Sequence, residues 1–286
     1  MTDRARDVAT ELTGRRAVRA SQLGAALFEV ELADGAVVVV KAGAGAGASA
    51  AEAASLRWLA EPSGPPVPAV HGQDDDWLVM ERVASGAPSV RTAEELGRGL
   101  ATLHDSGAPA FGAAPPDGKA DAWIGLAPMR NETRESWPDF YASQRVEPYL
   151  RRAIDQGTFD SGQARVLTEV CERLDELAGP EESPARLHGD LWSGNVHWAA
   201  DGRAWLIDPA AHGGHRETDL AMLHLFGCPQ LDRMVDAYQD VTPLASGWRD
   251  RIPLHQLFPL LVHTVLFGGG YARQTIAAAR SAPTSS

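Results

Sequence analysis

Cysteine is nearly absent: Cys171 and Cys228 are the only two among 286 residues, and they stand in no paired motif. So few thiols exclude a disulfide-stapled fold and lead us to expect a reducing compartment, with the protein in the cytoplasm. Long apolar runs are missing too. The most apolar late stretch, residues 252–271, is interrupted by Pro253, His255, Gln256, Pro259 and His263, so it is expected to form a buried helix rather than a membrane span. The opening MTDRARDVATELTGRR is polar and helix-patterned, without the apolar centre of a secretory signal. Positive charge is short as well, since 26 Lys and Arg against 38 Asp and Glu leave a net charge of −12. A surface of that sign repels nucleic-acid phosphates and anionic lipid, so neither nucleic acid nor membrane is expected as a partner, whereas a cationic or neutral small molecule fits. No internal repeat is visible. Low complexity is confined to residues 43–51, where the glycines suit a flexible connection and the alanines can begin a helix.

The chain is long enough, at 44% apolar residues, to fill two lobes. Its most informative segment is residues 186–208, RLHGDLWSGNVHWAADGRAWLID. Asp190 and Asn195 share one short loop, where the carboxylate can accept a hydroxyl proton and the amide can bind a metal. Trp205-Leu206-Ile207 then reads as a buried strand that presents a second carboxylate, Asp208. Phosphoryl transfer needs such a set, because charge spreads over the transferring group and catalysis rests on positioning and cation clamps. The pattern H-x-D-x-x-x-x-N followed by a metal-binding Asp matches the protein-kinase layout, with Gly189 standing where protein kinases carry Arg. Three metal-capable polar residues beside buried strands are costly unless something binds them.

Upstream, residues 18–23, 27–32 and 36–41 read as three strands, the last two joined by the hairpin signal Asp34-Gly35. Lys41 closes the VVVVK run, either as an edge lysine reaching solvent or as a cation for nucleotide phosphates. Glu52, in the helical AAEAASLRWLA, can pair with it or lie on a solvated face. Gly24 is the single glycine in a turn where a protein kinase has three, though its backbone N–H groups can still cover phosphates. Residues 77–83 read as a strand running into a Gly, Pro and Ser segment, which is where a hinge between lobes would bind adenine through the backbone near Met80, Glu81 and Val83. The expected division is therefore an N-terminal nucleotide-binding lobe of residues 1–83 and a C-terminal catalytic and substrate-binding lobe of residues 84–286. In the latter, residues 92–104 form a helix capped by Thr92 with Glu95 three positions on, and residues 134–154 and 163–177 are further helical stretches. Little chain separates Asp208 from Glu217, so no long activation segment is expected.

These residues resemble the fructosamine kinases (ketosamine-3-kinases), a branch of the aminoglycoside phosphotransferase-like enzymes. The likeness covers most of the chain and is carried by LHGDLWSGNV (187–196), IDPAAHGGHRETDLAML (207–223), LVMERV (78–83) and LFPLLVHTVLFGGGY (257–271). The resemblance implies a two-lobed, protein-kinase-like α+β fold, with a small antiparallel-sheet lobe and a larger, mainly helical one. It implies ATP-dependent phosphorylation of the 3-hydroxyl of a ketoamine, fructosamine or ribulosamine, in protein deglycation or repair. Asp190 would then be the catalytic base, Asn195 and Asp208 the Mg2+ ligands, and Lys41 and Glu52 the groups serving the ATP phosphates. Trp192 would wall the sugar pocket and His263 would face the substrate. Another small-molecule kinase, acting on choline or an aminoglycoside, shares the Asp190, Asn195 and Asp208 set, and a nucleotide-binding scaffold without catalysis is the reading from another class. The identity of the sugar, the nature of the amine and the oligomeric state stay open.

Four groups have simpler expectations. His212 and His215 lack the further ligands that zinc needs. His188 is expected to anchor the loop by hydrogen bonds. Trp123 and Trp137 are expected in the core, with a substrate wall as the alternative. Glu217 and Asp219 are expected to cap a helix or steady the catalytic loop. The sparse Gly24 turn and the glycine run predict a nucleotide loop that is less ordered without ATP; equal protease resistance with and without nucleotide would contradict this.

Overall fold

Asp34 and Gly35 make the turn that the sequence marks, Gly35 taking a left-handed φ of 87° that a side chain would resist. The structure is a computed structural model that describes residues 1–282. After helix α1 (Thr2–Thr13), strands β1 (Ala17–Gln22), β2 (Leu27–Leu32) and β3 (Val37–Ala42) run antiparallel. Helix α2 (Ala48–Ala60) and strands β4 (Val70–Gln73) and β5 (Trp77–Glu81) follow, and the sheet order is β1-β2-β3-β5-β4. Alternation along β2 and β3 turns Phe28, Val30, Val38 and Val40 to one face, where Ala5, Val8 and Ala9 of α1 cover them. On α2, Ala53, Leu56 and Leu59 enter a different core that also contains Leu191 and Val196, which flank the loop between Asp190 and Asn195. One helix is thereby fixed against both the sheet and the loop that carries Asp190.

The remaining chain is mainly helical, so the α+β architecture of a small antiparallel sheet and a larger helical part is present. Helix α3 (Val90–Asp105) begins earlier than expected. Its cap is Ser89, whose Oγ accepts the Thr92 N–H at 3.1 Å, and not Thr92, whose own hydroxyl donates to the Gly202 carbonyl at 2.9 Å. Both are capping residues, and the earlier one wins because Val90 and Arg91 are free to join the helix. A hairpin, β6 (Asp121–Ile124) and β7 (Ala127–Arg130), precedes α4 (Trp137–Phe140) and α5 (Glu147–Asp155), which are joined by a π-helical turn at Tyr141–Val146. Pro148 has no N–H to give and its ring crowds the preceding turn, which the wider π turn relieves. Helices α6 (Ser161–Glu172) and α7 (Leu174–Leu177) lead to strands β8 (Ala185–Leu187), β9 (Val196–Trp198), β10 (Ala204–Leu206) and β11 (His212–Gly214), paired β8 with β11 and β9 with β10.

Helices α8 (Glu217–Phe226), α9 (Leu231–Val241), α10 (Trp248–His255), α11 (Leu257–Phe267) and α12 (Gly270–Arg280) complete the fold. The single helix expected over residues 252–271 is therefore corrected to parts of three: Pro259 has no N–H for the His255 carbonyl, where α10 ends and the Tyr141 hydroxyl donates instead, and Gly268 and Gly269 take positive φ and end α11. Among the described residues no helix is long and apolar enough to cross a membrane.

Glu217, at the start of α8, is buried and held by Arg251, whose Nε donates to Oε2 at 2.9 Å, and by His255, whose Nε2 lies 3.3 Å from the same oxygen. Burial alone would push this carboxyl up; the bonds from His255 and Arg251 outweigh it and hold it down to about 2. His188, His212 and His215 are buried and lowered mainly by that burial, so each is neutral in the folded protein. Both effects have one sign. Below pH 6.5 the unfolded chain takes up histidine protons that the folded one refuses, and below pH 4.5 it protonates Glu217 first, so the stability these groups contribute falls with pH through this window until Glu217 itself titrates. Asp190 and Glu52, whose carboxyls are raised by burial, act with the opposite sign over the same range, so the Glu217 part is read by difference: between pH 5 and pH 3 the urea midpoint should fall further in the wild type than in Glu217→Gln. An equal fall in both proteins would contradict this.

Candidate active site

The turn from β8 into the loop at residues 188–195 is organised from beneath by one carboxylate. Asp219 of α8 is fully buried, its Oδ2 accepting the His188 N–H at 2.7 Å and its Oδ1 the Gly189 N–H at 2.9 Å. His104 Nε2 lies 3.2 Å from Oδ2, and His104 Nδ1 is 2.9 Å from the Tyr238 hydroxyl. Burial would raise the Asp219 carboxyl, but the bonds and charge of these neighbours outweigh it and keep it ionised. His188 bonds as expected: Nδ1 accepts the Asp190 N–H at 3.3 Å, leaving the proton on Nε2 for the Ile207 carbonyl at 3.0 Å. Of the two residues expected to cap a helix or steady the loop, Asp219 does the second, while Glu217 serves the Arg251 pair.

Gly189 explains why no side chain stands at its position. Its φ is +81°, and an added Cβ would sit 2.1 Å from the Ala210 carbonyl oxygen. Gly189→Ala should therefore cost about 2–3 kcal/mol and displace Asp190. Wild-type urea stability in that variant would show that the loop absorbs the clash.

Within the loop, the Asn195 amide nitrogen donates to the Asp190 backbone oxygen at 2.8 Å and to its Oδ2 at 3.0 Å. That orients Asp190 and leaves Asn195 Oδ1 without a hydrogen-bond partner among the described residues, as an oxygen that can bind a metal. Burial dominates the Asp190 environment and, with the nearby Asp208 and Asp219 charges, pushes its carboxyl up to about 7 despite Asn195 and Lys41. Asp208 follows β10 and has a φ of 54°, a strained value for a residue with a side chain. Its half-exposed carboxylate lies 3.0 Å from Lys41 Nζ. Lys41, on β3, also contacts both oxygens of Glu52, at 2.9 and 2.8 Å, so of the open readings of these two residues the structure takes the pair. Burial works against the lysine's charge, but Glu52 and Asp208 outweigh it and raise its pKa.

A cavity of about 380 Å³ brings Lys41, Glu52, Asp190, Asn195, Asp208 and Trp192 onto one lining. Hard oxygen donors from Asn195 and Asp208 in this cleft suit a magnesium ion. Gly24, Met80, Glu81, Val83 and His263 do not line this cavity. Gly24 closes a tight turn, its N–H on the Leu27 carbonyl, and Ala26 rather than Gly24 reaches the cleft. Met80 is buried in the core, the Glu81 N–H is taken by the Ala69 carbonyl, and the Val83 carbonyl accepts from Arg82. His263 is half-buried and stands two rings away from Trp192, through Phe226.

Trp137 packs in the core, stacked on Tyr141 and His255. Trp123 departs from the core expectation: it is half-buried, lines the cleft, and donates from Nε1 to the Ala46 carbonyl at 3.3 Å. Core placement fails there because the β6–β7 hairpin lays its strand against the glycine run, where Gly45 has no Cβ to keep the indole out. Lys119 also lines the cleft, and no motif in the sequence marks it. The available signal is composition, since Lys41 and Lys119 are the only lysines in the chain. His212 and His215 do not converge: His212 Nδ1 bonds the Ala210 carbonyl, whereas His215 lies with His255 and with Glu217, whose carboxylate already accepts from Arg251.

Residues 4–281 match the family model described as fructosamine kinase. A probable ketoamine kinase of Enterococcus faecium is 35% identical over 199 residues, covering 69% of each protein. The solved structure of a Thermobifida fusca chain, provisionally named a fructosamine-3-kinase, superposes with a TM-score of 0.91 at 51% identity and covers 97% of both chains. A choline kinase from Streptococcus pneumoniae shares the fold alone, with a TM-score of 0.62 at 17% identity over 93% of each chain.

Proposed function

The chain belongs to the fructosamine kinase family, and from that premise we propose that it transfers the γ-phosphoryl group of ATP to the 3-hydroxyl of a ketoamine, a fructosamine or ribulosamine, in deglycation or repair. The observation that carries this is the convergence of Asp190, Asn195, Asp208, Lys41 and Glu52 on one cavity with Trp192 on its wall. Asp190, turned by the Asn195 amide, accepts the proton of the sugar hydroxyl as that oxygen attacks phosphorus and ADP leaves. A magnesium ion held by Asn195 Oδ1 and Asp208 would supply charge neutralisation at the phosphates. Lys41, fixed by Glu52, contributes a second cation on the same side. Adenine binds at the junction of residues 1–83 and 84–286, on backbone groups near Met80, Glu81 and Val83 other than the Glu81 N–H and the Val83 carbonyl, which bond within the protein. The turn that Gly24 closes meets the phosphates through Ala26, its residue on the cleft lining. Trp192 walls the sugar, and His263 faces the acceptor from the late helices.

A rival acceptor, choline or an aminoglycoside, would use the same phosphate machinery, and a scaffold would bind nucleotide without using Asp190. Phosphorus and carbon NMR of the product distinguishes these: the phosphate should appear on C3 of the ketoamine. Phosphorylation at another sugar carbon would overturn the regiochemistry, and a protein that binds MgATP but shows no thermal shift with any ketoamine would fit the scaffold.

A further inference from the structure

Trp192 does not end the aromatic surface at the cleft. Its ring meets Phe226 edge-on, with centroids 5.8 Å apart, and Phe226 lies 5.3 Å from His263. His263 in turn is 5.6 Å from Phe267 and 4.9 Å from Tyr271, so rings from the catalytic loop, the end of α8, α11 and the start of α12 form one continuous strip. Much of it faces water: Trp192 and Phe226 are each 38% exposed and Phe267 is 62% exposed. Contiguous exposed rings beside a cleft are left open for something that covers them.

The strip also has a polar centre with a defined sense. His263 Nδ1 lies 2.7 Å from the Pro259 carbonyl, which can only accept, so Nδ1 carries the proton. In the neutral ring Nε2 is then an acceptor, and no hydrogen bond among the described residues occupies it. A ketoamine nitrogen is a secondary amine that carries an N–H and, when protonated, a positive charge. Aromatic faces attract such a cation, and the net charge of −12 favours its approach.

Resting on the ketoamine function proposed for this cleft, we propose that Phe226, Phe267 and Tyr271 form a platform for the substituent on the acceptor's nitrogen, and that the favoured substrates are ketoamines of amines bearing an aromatic or extended apolar group. The sugar lies between Asp190 and Trp192. The nitrogen passes His263 Nε2, and the substituent lies along Phe267 and Tyr271, removing apolar surface of both partners from water.

The test is kcat/KM for three ketoamines of one sugar, made with methylamine, n-hexylamine and benzylamine, in a fructose and a ribulose series. The wild type should prefer the benzyl over the methyl compound by about tenfold or more, mostly through KM. Phe226→Ala and Phe267→Ala should each shrink that ratio to within about threefold, whereas Phe267→Tyr should keep it. A flat wild-type series, or a preference that survives both alanine variants, overturns the platform while leaving the kinase reading intact. A concentration-dependent dimer that Phe267→Asp dissolves, together with a flat series, overturns it in favour of self-association. Absence of turnover with all three compounds in both the fructose and the ribulose series overturns the ketoamine reading and the platform together.

Discussion

Asp190→Asn is expected to lower turnover by about 3 to 5 kcal/mol in barrier, roughly 10²- to 10⁴-fold, the usual range for losing a general base. The substitution is nearly isosteric, and its amide oxygen can still accept from the Asn195 amide, so the loop has no reason to collapse. What disappears is the capacity to take a proton. The environment of Asp190 suits proton acceptance, because burial, aided by Asp208 and Asp219, raises its carboxyl to about 7. A base must be deprotonated to act, so activity should rise with pH on the acid limb. A divalent cation beside it displaces that limb to lower pH, because positive charge favours the carboxylate. The limb should vanish in the residual activity of the variant. Near-normal turnover by Asp190→Asn would remove Asp190 from the chemistry.

Asp208→Ala should reduce MgATP affinity by about 100-fold or more, read by calorimetry. The fold holds this residue at a φ of 54° and sets it against the Lys41 cation, an arrangement that costs backbone strain and has no value to the core. Without it, Asn195 Oδ1 is the one remaining oxygen donor of the proposed pair, and Lys41 keeps Glu52 as its sole carboxylate partner. Nucleotide binding without magnesium should change much less. An unchanged MgATP affinity would show that the metal is held elsewhere.

The parts of the site legible in the sequence are those set by local geometry. Asp190 and Asn195 lie on one short loop, and Asp208 ends a strand paired with the strand that follows that loop, so spacing alone brings them together. Lys41 and Glu52 are ambiguous singly because their pairing depends on how α2 docks on the sheet. Asp219 reads in the sequence as a residue that caps a helix or steadies the loop, whereas the links from His104 to it and to Tyr238, 115 and 134 positions apart, leave no local pattern. Trp123 departs from its expected core position for a similar reason, since its exposure depends on which side of the hairpin meets the glycine run. The late apolar stretch reads as one helix because its apolar character is largely continuous, whereas its breaks are set by Pro259, which has no N–H for the His255 carbonyl, and by backbone conformation at Gly268 and Gly269.

The most direct measurement is ADP release by the purified protein with MgATP and, in parallel, a ribulose-lysine ketoamine, fructose-lysine, an aminoglycoside and choline, with Asp190→Asn as the control. The proposed function predicts turnover of at least one ketoamine that the Asp190→Asn variant loses. Turnover confined to choline or the aminoglycoside would contradict it.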